Sequence, residues 1–247
     1  MIVDRILLIL TRRWLFFLNL LVAIYVGLPM LAPVLMHNGM TRSAGLIYRV
    51  YSPMCHQLAS RSFFLFGEQS AYPRAIAGTG LRPIEDFMAD IPEFANSSPD
   101  PAQWGNFILA ARQFRGNEQM GYKMAICQRD VGIYFSMLIG GLIYGVLRQR
   151  GRIRPLPFWL FVIIGLGPIA LDGFSQLFSQ MFVGLGIDSL MRLFPLRESS
   201  PFLRALTGAI MGLSLVWLLY PRLDDQFNMT ADDIERRLSA QQVANTE

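Results

Sequence analysis

Charged residues are scarce in this sequence. Asp, Glu, Lys and Arg together make up 16% of the 247 residues, whereas soluble domains contain about 25%. Hydrophobic residues make up 53% of the chain, and the mean hydropathy is +0.36. This composition argues against an ordinary soluble domain and indicates a protein embedded in a lipid bilayer.

The sequence also lacks a glycine-rich phosphate-binding loop and any nucleic-acid-binding motif. Its net charge is +4, but the basic residues cluster beside apolar segments, as they do in membrane proteins of fixed orientation. We therefore expect the lipid bilayer, and no nucleic acid, as a partner of this chain.

Four apolar segments have about the 20 residues that a membrane-spanning helix needs. The first is too long for the core of a signal peptide and is followed by no small-x-small cleavage site, so it should remain as an anchor. The predicted fold class is an all-α integral membrane protein with four transmembrane helices and an outer interfacial or re-entrant helix. The predicted spans are 14–36, 131–147, 156–176 and 202–220.

The arginines beside these spans predict the orientation. Arg5, Arg12 and Arg13 precede the first span, the short link 148–154 contains four arginines and no acid, and Arg222 follows the fourth span. Lys and Arg favour the cytoplasmic side of a membrane. We therefore predict a multi-pass protein of the cell membrane with both termini cytoplasmic.

Segment 44–66 is long enough to span but contains Arg49, Pro53, His56 and Arg61. A charged side chain at the bilayer centre costs roughly 2.5–3.5 kcal/mol on insertion scales. We therefore predict that this segment is a helix that lies at the outer interface or re-enters from it.

The remaining segments complete a four-part organisation. The polar insert, residues 67–123, should form an outer loop with a short amphipathic helix at 106–114. A second interfacial helix is predicted at 179–194. A capping-box spacing of Thr230 and Asp233 predicts a short solvated helix in the tail. The predicted parts are 1–66 (anchor and interfacial helix), 67–123 (extracytoplasmic insert), 124–221 (three-span core) and 222–247 (cytoplasmic tail).

This topology brings several polar residues to one depth at the outer face. The chain has two cysteines and two histidines, and Cys55 and His56 stand side by side. Intramembrane and juxtamembrane polar groups tend to face the bundle interior as partners. The other residues expected at this level are Cys127, Arg129, Asp130, Asp172, Gln176, Arg197, Glu198 and Arg204.

Three interpretations remain open for Cys55, His56, Cys127 and Asp130. All four side chains are ligands of zinc, which makes a zinc ion the candidate cofactor. Neighbours on a regular helix point about 100° apart, so Cys55 and His56 need a turn near Pro53 to share one ion. The alternatives are a disulfide between Cys55 and Cys127 on an oxidising side, and two buried, inert thiols.

Asp172 lies in a mostly apolar context near the outer end of the third span. We expect it to pair with Arg204 or Arg197, either as a structural ion pair or as a catalytic acid, and Arg129 with Asp130 as an interfacial pair. The candidate catalytic residues are therefore Asp172, Arg129, Arg204 and Glu198.

The blocks "CHQ…RSFFLFGEQ", "CQRDVGIY", "LDGFSQ" and "RESSPFLRALTGAIMG" resemble DUF2085, a family of multi-pass membrane proteins without an assigned activity. The resemblance covers about residues 50–69 and 124–220, in order. Asp130 stands where the family has a second cysteine, and the insert is longer than the family's link. The residues that match the family pattern are Cys55, His56, Gln57, Arg61, Ser62, Gln69, Cys127, Arg129, Gly132, Tyr134, Asp172, Gly173, Gln176, Arg197, Glu198 and Arg204.

Two functions are compatible with these residues. One is a metal- or thiol-dependent protein, including an enzyme that acts on a lipid or quinone-like substrate at the interface. The other is a non-catalytic subunit or scaffold, whose polar cluster holds helices together and whose insert 67–123 docks other membrane subunits.

The orientation can be tested by cysteine labelling in intact cells. A Ser98→Cys variant should react with a membrane-impermeant thiol reagent, because residue 98 lies in the predicted outer insert, whereas a cysteine introduced in the tail should be protected. Protection of residue 98 together with labelling of the tail would reverse the assignment.

Overall fold

The structure is a computed structural model that describes residues 2–100, 103–186 and 188–244. Its helices are α1 (Ile2–Arg12), α2 (Trp14–His37), α3 (Thr41–Tyr51), α4 (Gly105–Gln113), α5 (Gln128–Leu147), α6 (Phe158–Phe161), α7 (Gly167–Leu185), α8 (Asp188–Leu193) and α9 (Pro201–Ala244). A π-helical turn, Val162–Leu166, joins α6 and α7 into one continuous helix. Its strands are β1 (Ser62–Leu65), β2 (Gly116–Asn117) and β3 (Gly121–Cys127).

Among the described residues, four helices are long and apolar enough to cross a membrane: Trp14–His37, Gln128–Leu147, Phe158–Leu185 and Pro201–Gln241. The predicted all-α membrane fold with four spans is therefore confirmed. Each span begins within a few residues of its predicted start, because the apolar run itself determines the helix.

The prediction of one interfacial helix over 44–66 is wrong. Helix α3 ends at Tyr51, and after an irregular segment the chain enters strand β1. Gln57 adopts a positive φ of 52°, a conformation that a continuing α-helix does not contain. Strand β1 pairs antiparallel with β3, with Ser62 opposite Cys127, and β2 lies on the other side of β3.

The insert between β1 and β3 is a packed body with its own core. Helix α4 lies where the short amphipathic helix was predicted and buries Phe107. Lys123 on β3 is fully buried, and its ammonium donates to the carbonyl oxygens of Gln57, Ala111 and Arg112 at 2.6–3.1 Å. The aromatic residues of this core are Phe64, Tyr72, Phe87, Phe94, Phe107 and Phe114.

Two further helix predictions need correction. The segment 179–194 is not a separate interfacial helix, because α7 continues to Leu185 and is capped by Gly186 at a φ of +66°. The tail is not a separate short helix either. Thr230 does not cap a helix: its hydroxyl donates to the carbonyl of Gln226 inside α9, at 2.9 Å. The tail continues α9, which packs against α1.

Ion pairs join both termini and the arginine-rich link at one end of the bundle, here called the inner end. Arg12 on α1 pairs with Asp232 and Glu235 on α9. Asp224 on α9 accepts hydrogen bonds from Trp14 at 3.0 Å and from Arg148 at 2.7 Å. The sheet and insert lie at the opposite end, here called the outer end, because β3 leads directly into α5.

Helices α5 and α9 form the closest helix pair, and glycines permit it. A Cβ built on Gly208 would lie 2.3 Å from the carbonyl oxygen of Arg129, and one on Gly212 would lie 2.2 Å from Ser136 Oγ. Gly208 and Gly212, one turn apart on α9, therefore both face α5. Gly141, by contrast, faces Asn19 of α2, at 2.1 Å from Asn19 Oδ1.

We expect Gly208→Ala to lower the melting temperature in detergent, because the added methyl group would push α9 away from the α5 backbone; overpacking costs typically about 1–3 kcal/mol. Gly27→Ala is the matched control, since Gly27 is also in a span and has no atom within 4 Å of the added Cβ. Equal melting temperatures for the two variants would contradict the close α5–α9 contact.

Candidate functional site

A cavity of about 250 Å³ lies at the outer end of the bundle. It lies where the turn after α3, the start of β1 and the first turns of α5 and α9 come together. The side chains that line it are mostly polar or charged. They are Met54, Cys55, His56, Gln57, Leu58, Arg61, Cys127, Arg129, Asp130 and Arg204.

Three possible metal ligands meet in this cavity. One sulfur each from Cys55 and Cys127 and one carboxylate oxygen of Asp130 all lie within 4.8 Å of one another. We call these three residues the thiol cluster. Cys127 caps the N-terminus of α5, which places Asp130 in the first turn beside it. Cys55 is buried and reaches the cluster from the turn after α3.

His56 lines the same cavity but does not belong to the thiol cluster. Its side chain is exposed, whereas its neighbours Cys55 and Gln57 are buried. The chain is not helical here, so adjacent side chains diverge. The role of His56 as a fourth ligand stays a prediction.

The two thiols are free and interact with each other. A hydrogen bond from Cys127 lowers the pKa of Cys55, and this same contact, together with burial, raises the pKa of Cys127. The pair therefore loses one proton more readily than two. A thiolate is the form of cysteine that binds metal or reacts as a nucleophile.

Asp172 is the centre of a buried polar group beside the cavity. Its carboxylate accepts hydrogen bonds from Arg129 on α5, from Arg197 at 3.0 Å, and from the Ser199 hydroxyl at 2.7 Å. Gln176, one turn along the same helix, donates to it at 3.2 Å. The predicted partner Arg197 is therefore correct, but Arg129 pairs with Asp172 and not with Asp130.

Glu198 is a second buried carboxylate. Arg204, which was predicted to pair with Asp172, pairs with Glu198 instead. Arg204 is in the first turn of α9, and Glu198 lies in the loop just before that helix. Arg61 contacts both carboxylate oxygens of Glu198, at 2.9 and 3.0 Å. This two-point geometry fixes the guanidinium plane of Arg61.

Gln176 joins the two carboxylates into one arrangement. Its side-chain oxygen accepts from the backbone N–H of Ser199 at 3.2 Å and from Arg204, while its amide donates to Asp172. We call the whole set the outer polar network: Arg61, Arg129, Asp172, Gln176, Arg197, Glu198, Ser199 and Arg204.

Other residues of the family-like motifs shape the walls of the site. Gln57 donates to the carbonyl of Tyr48 at 2.9 Å and supplies its own carbonyl to Lys123. Gln128, fully buried, donates to the carbonyl of Ser62 at 3.0 Å. Gln57 therefore ties the turn that contains Cys55 to α3 and β3, and Gln128 ties α5 to the start of β1.

The site residues predicted from the sequence did not include Ser199, Gln128 or Lys123. Ser199 directly follows Arg197 and Glu198, so the polar run just before the fourth span was a usable signal for it. Gln128 and Lys123 gave no such signal, because their partners are backbone carbonyls in distant segments.

Comparison with known proteins supports the membrane assignment. The model of a family described as a predicted membrane protein (DUF2085) matches residues 113–218. The chain is 27% identical over 175 residues to an uncharacterized protein of Methanocaldococcus jannaschii, covering 71% of this chain and 67% of that protein. No solved structure matches the chain.

The matched segment contains the second and third spans, most of the membrane part of the fourth, and most of the outer polar network, whereas Cys55 and Arg61 lie before it. The relative is an uncharacterized protein, so the comparisons assign no activity to this chain. Residues 113–218 of this chain are therefore similar to the DUF2085 family of predicted membrane proteins, as the motifs indicate.

Proposed function

We propose that this protein is a metal-dependent membrane protein in which Cys55, Cys127 and Asp130 bind one divalent ion of the zinc type. The observation that carries the proposal is the meeting of two sulfurs and one carboxylate oxygen within 4.8 Å, in a cavity at the outer end of the bundle. Cysteine sulfur and carboxylate oxygen are both zinc ligands.

The chain supplies what a bound ion of this kind needs. A hydrogen bond from Cys127 lowers the pKa of Cys55, which favours one deprotonated ligand, whereas the raised pKa of Cys127 means that the ion itself must displace the second proton. Asp130 is in the first turn of α5, so its carboxylate lies beside the two sulfurs. Burial of Cys55 and the rigid backbone around Gln57 keep the first sulfur in place.

Three protein ligands leave one coordination position for water or a substrate, as in catalytic zinc sites. That position would face a cavity that contains the guanidinium groups of Arg61, Arg129 and Arg204. This arrangement is suited to an enzyme that polarises an oxygen atom of an anionic substrate at the membrane surface.

We also propose that the outer end faces the extracytoplasmic side of the cell membrane and that both termini are cytoplasmic. The three arginine-rich segments support this orientation, since they all lie at the inner end. On this orientation the thiols face an oxidising compartment in many organisms, and a bound ion would protect them from forming a disulfide.

A non-catalytic subunit is the second candidate. It is favoured by α4 of the insert, which exposes Ile108 and Leu109 while burying Phe107 against the insert core. In that case the outer polar network would be structural, and the exposed side chains of α4 would contact another membrane protein.

Elemental analysis of the purified full-length protein tests the metal proposal. After loading with zinc and removal of the excess, the protein should retain about one zinc ion per chain. Cys127→Ser and Asp130→Asn should each lose most of it, because each removes one of the three ligands. Mass spectrometry of non-reduced peptides should show Cys55 and Cys127 unbridged in the loaded protein.

His56→Ala is the matched control, since His56 lines the cavity but lies outside the thiol cluster. It should retain zinc, and all variants should keep melting temperatures close to that of the parent protein without metal. A parent protein that binds no zinc, or that carries a Cys55–Cys127 disulfide after isolation under zinc, would contradict the proposal.

A further inference from the structure

We propose that the outer cavity binds a phosphate group, through Arg61, Arg129 and Arg204, beside the thiol cluster. The ligand class is a phosphoryl anion, carried either by a lipid headgroup or by a small soluble molecule. The phosphate site deepens the proposed function. Its position beside an open coordination position of a metal ion rests on that function.

The three arginines are held rigidly on the cavity wall. Arg61 is fixed by two contacts to Glu198, Arg204 by Glu198 and Gln176, and Arg129 by Asp172. Each of these bonds occupies part of a guanidinium group that has five N–H donors. Preorganised arginines of this kind suit phosphate, which accepts paired hydrogen bonds.

The charges of the network are not balanced. Four arginines of the outer polar network pair with two carboxylates, Asp172 and Glu198. Asp130, on the cavity wall, offsets one more positive charge. The charged side chains that line the cavity itself are three arginines and one carboxylate, and this excess of positive charge favours an anion.

Arg129 offers a donor that the protein itself leaves unused. Its Nε is buried, and no acceptor for it is found among the described residues. A buried donor without an acceptor is costly, and a small rotation of the Arg129 side chain that brings this N–H to a bound anion would remove that cost. Arg129 also lies in the first turn of α5, a 20-residue helix whose N-terminus adds to the positive potential.

The depth of the site makes a lipid phosphate accessible. Arg129 and Arg204 lie within the first turns of two spanning helices, at their outer ends. Lipid headgroups occupy this level of the bilayer. A free phosphate would reach the same arginines from the aqueous side.

The test measures ligand-dependent melting of the full-length protein in a maltoside detergent that contains no phosphate. Two probes are compared, inorganic phosphate and dihexanoyl phosphatidic acid below its micelle concentration, each with and without zinc. A ligand that binds the folded protein raises its melting temperature as its concentration increases. We expect at least one probe to stabilise the protein, and salt to weaken the effect because the attraction is electrostatic.

Arg129→Gln and Arg197→Gln form the decisive pair of variants. Each removes one of the two arginine partners of Asp172, but only Arg129 lines the cavity. Arg129→Gln should weaken probe binding by about tenfold or more, the size of effect expected for a lost hydrogen bond to a charged group. Arg197→Gln should bind the probe as the parent does, although both variants melt at a lower temperature without ligand.

The outcomes separate this inference from the metal proposal. Stabilisation by phosphatidic acid alone identifies a lipid ligand, and stabilisation by both probes identifies a general phosphate site. No stabilisation by either probe, in a protein that retains zinc, overturns the phosphate site and leaves the metal proposal standing. Equal weakening by Arg129→Gln and Arg197→Gln also overturns it, since the effect would then come from Asp172 and not from the cavity.

Discussion

The outer end of this protein depends on two carboxylates that are buried with their arginines. Asp172 and Glu198 have side chains that are 3% and 0% exposed. A buried charge is tolerated when it is paired and hydrogen-bonded, and removing one partner from a buried pair costs roughly 3–5 kcal/mol. The arginines come from α5, α9, the loop before α9 and the segment before β1, and Asp172 is on α7, so these pairs tie five parts of the chain together.

A comparable arrangement holds the inner end. Asp224 on α9 accepts from Trp14 on α2, from Tyr144 on α5 and from Arg148 after α5. Between the two ends, α5 and α9 lie in close contact at glycine residues. A Cβ added to Gly132 would lie only 2.3 Å from the carbonyl oxygen of Ala205. The two helices therefore form a rigid pair, and the cavity is built on the outer end of that pair.

The sequence predicted the parts of the structure that depend on local composition. The length of the apolar runs predicted the four spans. Because successive spans run in opposite directions, this topology predicted one depth for five residues: Cys55, Cys127, Asp130, Asp172 and Glu198. The sequence did not predict strand β1, since that strand depends on pairing with β3, which lies more than 50 residues later. It predicted Arg197 as a partner of Asp172 but named Arg204 in place of Arg129, because a shared depth does not determine which side of a helix each arginine faces.

We propose that the chemistry of the site comes from a metal ion held by two sulfurs and one carboxylate, next to arginines that the buried carboxylates position. X-ray absorption at the zinc edge of the loaded full-length protein tests this most directly. We expect two sulfur ligands at about 2.3 Å and two oxygen or nitrogen ligands at about 2.0–2.2 Å. A coordination shell made entirely of oxygen and nitrogen, with both thiols free, would contradict it.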